Sequence, residues 1–316
     1  MIDTLEQATR ISLDLHAQIN PRPNADCMLL LDAVPRPITE DDALWERYSQ
    51  IEQTRVRLSY PNVNPSHFPV LVPLCIAQFE DSVLLEQSAQ DAYEELAPEA
   101  LQSGTGRRIS GWLTSRASIA TVARHLASVM LQHPSPFGLA TWLRLQDPAT
   151  LWWLWSFLAP TQRSALLGPI ETFWLLDPAG RLTALRNDAA GTTSDAPAAL
   201  QLSPAQWQDI ACIGPLNLAL REWGQAQAVG ERFDKLCMGA HAAVRRAQAA
   251  GFNDRRDQAA YARYALEIHP QFDAHALVQA RLAGRNADDY FTGLVDDIDE
   301  QAWQRIAHEC ALVATS

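Results

Sequence analysis

Apolar residues recur along this chain with two different periods, and the change from one to the other divides it. In residues 1–187, short runs of period two alternate with helical stripes. Leu5, Ala8, Ile11, Leu15 and Ile19 fall near one face of a helix over residues 1–19. Residues 27–32 read as a strand closed by Pro35 and Pro37, and residues 41–51 as a helix with Leu44, Tyr48 and Ile51 inward. After a polar loop over 60–68, residues 68–77 are nearly all apolar, as a strand covered on both faces would be. A helix over 83–96 and a turn at 103–106 lead into a strand over 108–113. Ile119, Val122, Ala123, Leu126 and Met130 then trace a clear helical stripe.

Residues 139–174 organise this first region as strand, helix, short helix and strand. Leu139, Thr141, Leu143 and Leu145 alternate with Ala140, Trp142 and Arg144, which predicts a strand. Asp147 and Pro148 end it and open a helix: the carboxylate can accept a free backbone N–H, and proline has none to lose at the first helical position. Trp152, Trp153, Trp155 and Phe157 point to more than one face of that helix, so it is expected to be buried all round. Gly168 and Pro169 close the second short helix. Residues 170–176 and 181–185 then form a hairpin across Asp177-Pro178-Ala179-Gly180, with proline second and glycine fourth as a type I turn prefers.

Periodicity fades over residues 187–200, and a linker is placed at 188–202. Residues 203–316 contain no convincing strand. Ser203 and Gln206 form a capping box around Pro204, and residues 233–250 are alanine-rich and end at Gly251. Phe291, Leu294, Val295 and Ile298 fall at helical spacing, as do Trp303, Ile306, Ala307 and Cys310, with Asp299 placed to cap the last helix. The expected fold class is therefore α+β: a mixed α/β lobe (1–187) with a small sheet flanked by helices, then an all-α lobe (203–316).

Charge narrows the partners. The formal net charge is −12 and Lys235 is the single lysine among 316 residues. Such a surface repels nucleic acid unless its arginines are gathered in one patch. No apolar run reaches the roughly 18 to 20 residues a membrane helix needs, and the acidic N-terminus is unlike a secretory signal. Five widely spaced cysteines without a C-x-x-C pair suggest buried thiols rather than a zinc site or disulfides. A cytoplasmic protein with no cofactor is expected.

Patterns that invite chemistry fail on their spacing. Gly104-Thr105-Gly106 lacks the G-K-[ST] ending of a phosphate loop and precedes a strand. Ser110-Gly111 lacks the glycine two residues upstream that a nucleophile elbow requires; Arg108 stands there. His308-Glu309 opens like a zinc-protease helix, but Leu312 occupies the second histidine position. The acids at 288, 289, 296, 297, 299 and 300 fit no calcium-loop register. His125 reads as a core-edge residue beside its apolar stripe. Arg144, on a largely apolar segment, needs a partner, with Asp147 or Asp32 nearest by pattern.

One ordered set of motifs resembles a known family. A Leu-Leu-Asp strand end at 30–32, an apolar strand at 69–74 and Trp112-Leu113 followed by Ser115 come first. His125-Leu126, Arg144-x-x-Asp147-Pro148, Gly168-Pro169-Ile170 and Trp174 follow in order. Over roughly residues 27–186 this resembles the type VI secretion adaptors, also called effector chaperones, with one departure: Gln146 replaces the usual aromatic before Asp-Pro. The resemblance implies a non-enzymatic protein that binds a toxic effector and loads it onto the VgrG spike protein. Under it Asp32, Arg144, Asp147, Pro148, Gly168, Pro169 and Trp174 are structural motif residues, and the α/β lobe is the common platform. The helical lobe would then help choose the cargo, with Tyr261, Tyr264, Phe272 and Tyr290 as candidate partner-binding residues. The three tyrosines are expected at the surface because a hydroxyl tolerates water. A toxin-neutralising immunity protein and an enzyme of unrecognised type are the alternatives.

Overall fold

The structure, a computed structural model, describes residues 4–19, 26–34, 43–60, 63–102, 106–134, 139–188, 199–224, 230–286 and 288–314. Two compact units divide the chain, residues 1–207 and 208–316. In chain order the first holds α1 (Thr4–Ile19), β1 (Asp26–Leu31), α2 (Ala43–Ser49), β2 (Thr54–Arg55) and β3 (Val70–Leu74). Next come α3 (Phe79–Glu94), α4 (Pro98–Gln102), β4 (Ile109–Ser115), α5 (Ile119–Met130), β5 (Leu131–Gln132) and β6 (Thr141–Trp142). The set closes with α6 (Pro148–Phe157), α7 (Pro160–Leu167), β7 (Ile170–Leu176) and β8 (Leu182–Arg186).

Six of these strands make one antiparallel sheet in the order β2-β3-β1-β4-β7-β8. One face carries Cys27, Leu29, Leu31, Val70, Val72, Leu74, Ile109, Trp112 and Trp174, packed under Ile11, Leu15 and Ile19 of α1 and Leu85, Ala89 and Ala92 of α3. Trp112 and Trp174 are direct neighbours across β4 and β7. Each fully buried indole finds an acceptor, Ser88 Oγ at 2.8 Å and Gln18 Oε1 at 2.9 Å. Elsewhere α5 packs beside β2 and β3, and α7 beside β7.

The mixed first part and helical second part are as the sequence predicts; several details differ. The strand expected over 139–145 shrinks to β6, which pairs with β5 in a separate two-stranded sheet. Past Trp142 the Leu143 N–H turns to Met130 O, and the Asp147 N–H donates to Arg144 O, so Leu143 and Leu145 are buried on a turning segment. Leu139 is 91% exposed. The helix expected over 41–51 is seen over 43–49; residues 41–42 and the Leu44 side chain lie outside what is described, Tyr48 is buried and Ile51 half-buried. Leu5 stands exposed, one turn short of the buried stripe on α1. On α6, Leu151, Trp153 and Leu154 are buried, but Trp152, Trp155 and Phe157 are only half-buried, so this helix is not enclosed all round.

The rest of the chain is helical among the described residues: α8 (Pro204–Trp223), α9 (Glu231–Ala249), α10 (Arg255–Glu267), α11 (Ala276–Ala283), α12 (Phe291–Leu294) and α13 (Glu300–Ala314). The first turn of α8, where Ser203 and Gln206 close their reciprocal cap, is counted in the first unit. α9 and α10 form a hairpin whose turn is fastened by the Phe252 N–H to Ala247 O, the long bond of a Schellman ending. Its alanines (243, 247, 260, 265) bring the two backbones close; α12 adds Phe291, the residue after it Val295, and α13 Trp303 and Ile306 to one core.

Candidate functional site

The motif residues of the first unit are engaged with one another and with the backbone. Asp147 caps α6: Oδ1 accepts from the Ala149 N–H at 3.2 Å and Oδ2 from Thr150 Oγ1 at 2.7 Å, with Pro148 at the first helical position. Arg144 reaches 112 residues back to Asp32, with Nη2 to Oδ2 at 3.1 Å. The guanidinium side is 54% exposed, so this pair contributes little beyond fixing the local geometry. The other Asp32 oxygen accepts from the Val34 N–H at 3.2 Å and so shapes the exit of β1.

Gly168 and Pro169 have a steric reason. Gly168 ends α7 at φ +55°, and a Cβ there would fall 2.2 Å from the His125 ring. Only glycine lets that imidazole lie against the chain, where Nε2 donates to Leu166 O at 2.9 Å. His125 is buried, Nδ1 has no hydrogen-bond partner among the described residues, and burial lowers its pKa below the ordinary histidine value. It is therefore held neutral as the Nε2–H tautomer. Pro169 O accepts from Ser115 Oγ at 2.7 Å, and Gly168 O from Asn187 Nδ2 at 2.8 Å. These bonds tie the start of β7 to the end of β4 and to the chain leaving β8.

Sequence reasoning misses a buried polar cluster at the start of β4. Glu95, just past α3, accepts the backbone N–H groups of Arg108 (2.7 and 2.8 Å) and Ile109 (3.0 Å), satisfying the donors where the chain enters β4. Arg108 Nη1 donates to Asp32 O at 3.1 Å, and Arg107 Nη1 to Leu176 O at 2.9 Å. Burial pulls the Arg107 pKa down, while the carboxylates of Asp147, Glu95 and Asp177 act the other way. Asp177, fully buried, accepts from the Ala179 and Arg181 N–H groups and from Arg181 Nε at 2.7 Å, and so builds the β7–β8 turn. Gln146 is also fully buried, with neither amide atom hydrogen-bonded among the described residues. A side chain packed on all sides suits an apolar or aromatic residue better than an amide.

Gly111 has a signal that the motif Ser110-Gly111 conceals. Its φ is +147°, and a Cβ would lie 2.2 Å from Trp174 O of the adjacent strand. Ser110 is a buried strand serine beside it. The glycine serves sheet geometry rather than a nucleophile.

In the second unit the tyrosine expectation needs correction. Tyr261 and Phe272 are fully buried, and Tyr264 is half-buried against Trp303 at 4.5 Å between ring centroids. Of the four candidates only Tyr290, 63% exposed, lies open to a partner. The Tyr261 hydroxyl is satisfied internally, donating to Asp273 Oδ2 at 2.8 Å. Asp273 is also gripped by Arg246 through Nε (2.6 Å) and Nη2 (2.8 Å), a bidentate pair. Burial and then Asp273 raise the Tyr261 pKa, so the phenol stays protonated. Phe252, Tyr261, Phe272 and Phe291 meet at centroid distances of 4.6 to 6.2 Å, which makes them the core rather than its surface.

Among the described residues no group of three or more His, Cys, Asp or Glu side chains could hold a metal ion, and no helix is long and apolar enough to cross a membrane. No curated protein and no solved structure matches the chain. Residues 39–165 match a family model, described as a domain of unknown function (DUF4123). Arg144, Asp147 and Pro148 lie within the match, whereas Asp32, Gly168, Pro169 and Trp174 lie outside it although they complete the same contacts.

Proposed function

We propose that this chain is a type VI secretion adaptor, which binds a toxic effector and places it on the VgrG spike protein by recognition alone. The observation that carries the reading is the family match over residues 39–165, a domain associated with type VI effector adaptors. The motif residues support it by their use. Arg144, Asp147, Gly168 and Pro169 fix the frame through internal contacts, as a shared platform requires. Two buried thiols that a catalytic reading could invoke are pushed up by burial, Cys27 to about 12 and Cys212 to about 11, so neither is a thiolate at neutral pH. Such an adaptor acts in the cytoplasm, before the spike leaves the cell.

Co-expression of the full chain with the spike and effector genes of its own neighbourhood tests this. A tag on this chain should retain both proteins. Retention of the effector without the spike, with loss of the effector's toxicity, would make the chain an immunity-type protein instead.

A further inference from the structure

Three exposed apolar side chains of the first unit stand on two helices close to the point where these meet. α1 and α3 pack side by side, and His16 Nε2 lies 3.4 Å from Ser82 Oγ, which sets the last turn of α1 beside the first turn of α3. Leu13 stands three residues before His16, Phe79 three before Ser82, and Val83 next to Ser82. At 1.5 Å of rise per residue each is within about 5 Å of that junction along its helix axis. Leu13 is 64% exposed, Phe79 79% and Val83 43%. A phenylalanine this open, with two aliphatic neighbours, is the composition of an anchor for a partner.

The rim is predominantly acidic. Asp14, Glu80 and Glu86 are exposed within one turn of these three residues, and Arg10 is the single exposed base there among the described residues. His16 is half-buried against Ser82, and Asp81 is half-buried, its Oδ2 accepting the Cys75 N–H at 2.6 Å. A second copy of this face, or an anionic membrane, would bring like charges together. We infer that the outer face of α1 and α3 docks an amphipathic helix of another protein, apolar along one stripe and edged with lysine or arginine. The inference rests on the adaptor reading and adds to it where, and by what chemistry, one protein partner is held.

Binding of the full chain to a synthetic leucine/lysine amphipathic helix of about 18 residues tests this, with a leucine/glutamate helix of the same pattern as control. All substituted positions are exposed, so unchanged melting curves should accompany the L13D/F79D and E80K/E86K variants. The expected result is saturable binding of the lysine helix, none of the glutamate helix, and at least about tenfold weakening in each variant. Equal binding by wild type and L13D/F79D would overturn the inference, since charge alone would then suffice. So would a dimer that L13D/F79D dissociates, or capture of phosphatidylglycerol vesicles in place of the peptide. The same wild-type sample is tested for the spike–effector complex. A complex without peptide binding defeats this surface only, and peptide binding without a complex defeats the adaptor reading only.

Discussion

The two units set their buried polar groups in different surroundings. In the sheet unit, three buried carboxylates sit where the chain enters or leaves a strand: Glu95 at the start of β4, Asp177 at the β7–β8 turn and Asp32 at the end of β1. Each of the three accepts backbone N–H groups that no ladder or helix satisfies, while a fourth, Asp91 within α3, instead accepts from Tyr48 and Arg47. In the helical unit the backbone largely satisfies itself, and the core is a knot of aromatic rings. Its two most buried carboxylates are Asp257, in the first turn of α10, which accepts the Phe291 N–H at 3.0 Å, and Asp273, within a short 3-10 turn, which holds Arg246 and Tyr261. The comparison teaches that buried carboxylates here mostly serve irregular backbone, and that those which do not are paired with an arginine and a tyrosine. A sheet unit held this way should be sensitive to added atoms and misplaced amides, and the helical unit to lost volume.

The largest effects should separate the units on that basis. Phe291→Ala in the aromatic knot is expected to cost about 3 to 5 kcal/mol, read by urea denaturation. In the sheet unit the addition of one carbon should suffice. Gly111→Ala forces φ +147° on an alanine and drives its Cβ into Trp174 O, at a cost of about 3 kcal/mol or more. A mild Gly111→Ala would mean that β4 and β7 can part locally, against a rigid sheet. Gln146→Leu should act with the opposite sign. Removing a buried amide without partners should raise stability by about 1 kcal/mol, and a loss instead would show that the amide is satisfied.

Much of the first unit is legible in sequence because its signals are local. The α5 stripe, the β7–β8 hairpin and the caps at Asp147 and Ser203 depend on residues within a few positions of each other. Glu95 and Arg108 are 13 positions apart, and Arg144 and Asp32 are 112; no periodicity carries such a pairing, although the arginine's need for a partner does show. Tyr261 misleads for a related reason. Its hydroxyl suggests tolerance of water, but Asp273 supplies the acceptor, and alanine neighbours let other elements close over the ring. Leu139 misleads in the other direction, since a period-two pattern cannot tell a strand from a turning segment with alternate buried residues.

Smaller effects sharpen the view of the motif as a frame. Asp147→Ala should lower stability by roughly 1 kcal/mol through the lost cap, and Arg144→Ala by less, because that ion pair is half in water. Partner affinity should survive both; an unchanged melting temperature with lost binding would make Asp147 a contact residue. The smallest effect concerns pH. His125 and His241, one in each unit, have pKa values lowered chiefly by burial, with Asp209 opposing this at His241. The unfolded chain then binds more protons below about pH 6.5, so their contribution is full above that value and is lost as pH falls from there through the lower folded pKa values. His125→Asn should flatten the acid-side fall of the melting temperature, and a parallel curve would place the acid lability elsewhere.

The adaptor reading is tested most directly with three purified proteins. Spike and effector from the same gene neighbourhood are passed over a sizing column with light scattering, first alone and then with this chain. The proposal predicts that the effector migrates with the spike only when this chain is present. Association of effector and spike without it, or its failure to join either protein, would contradict the proposal.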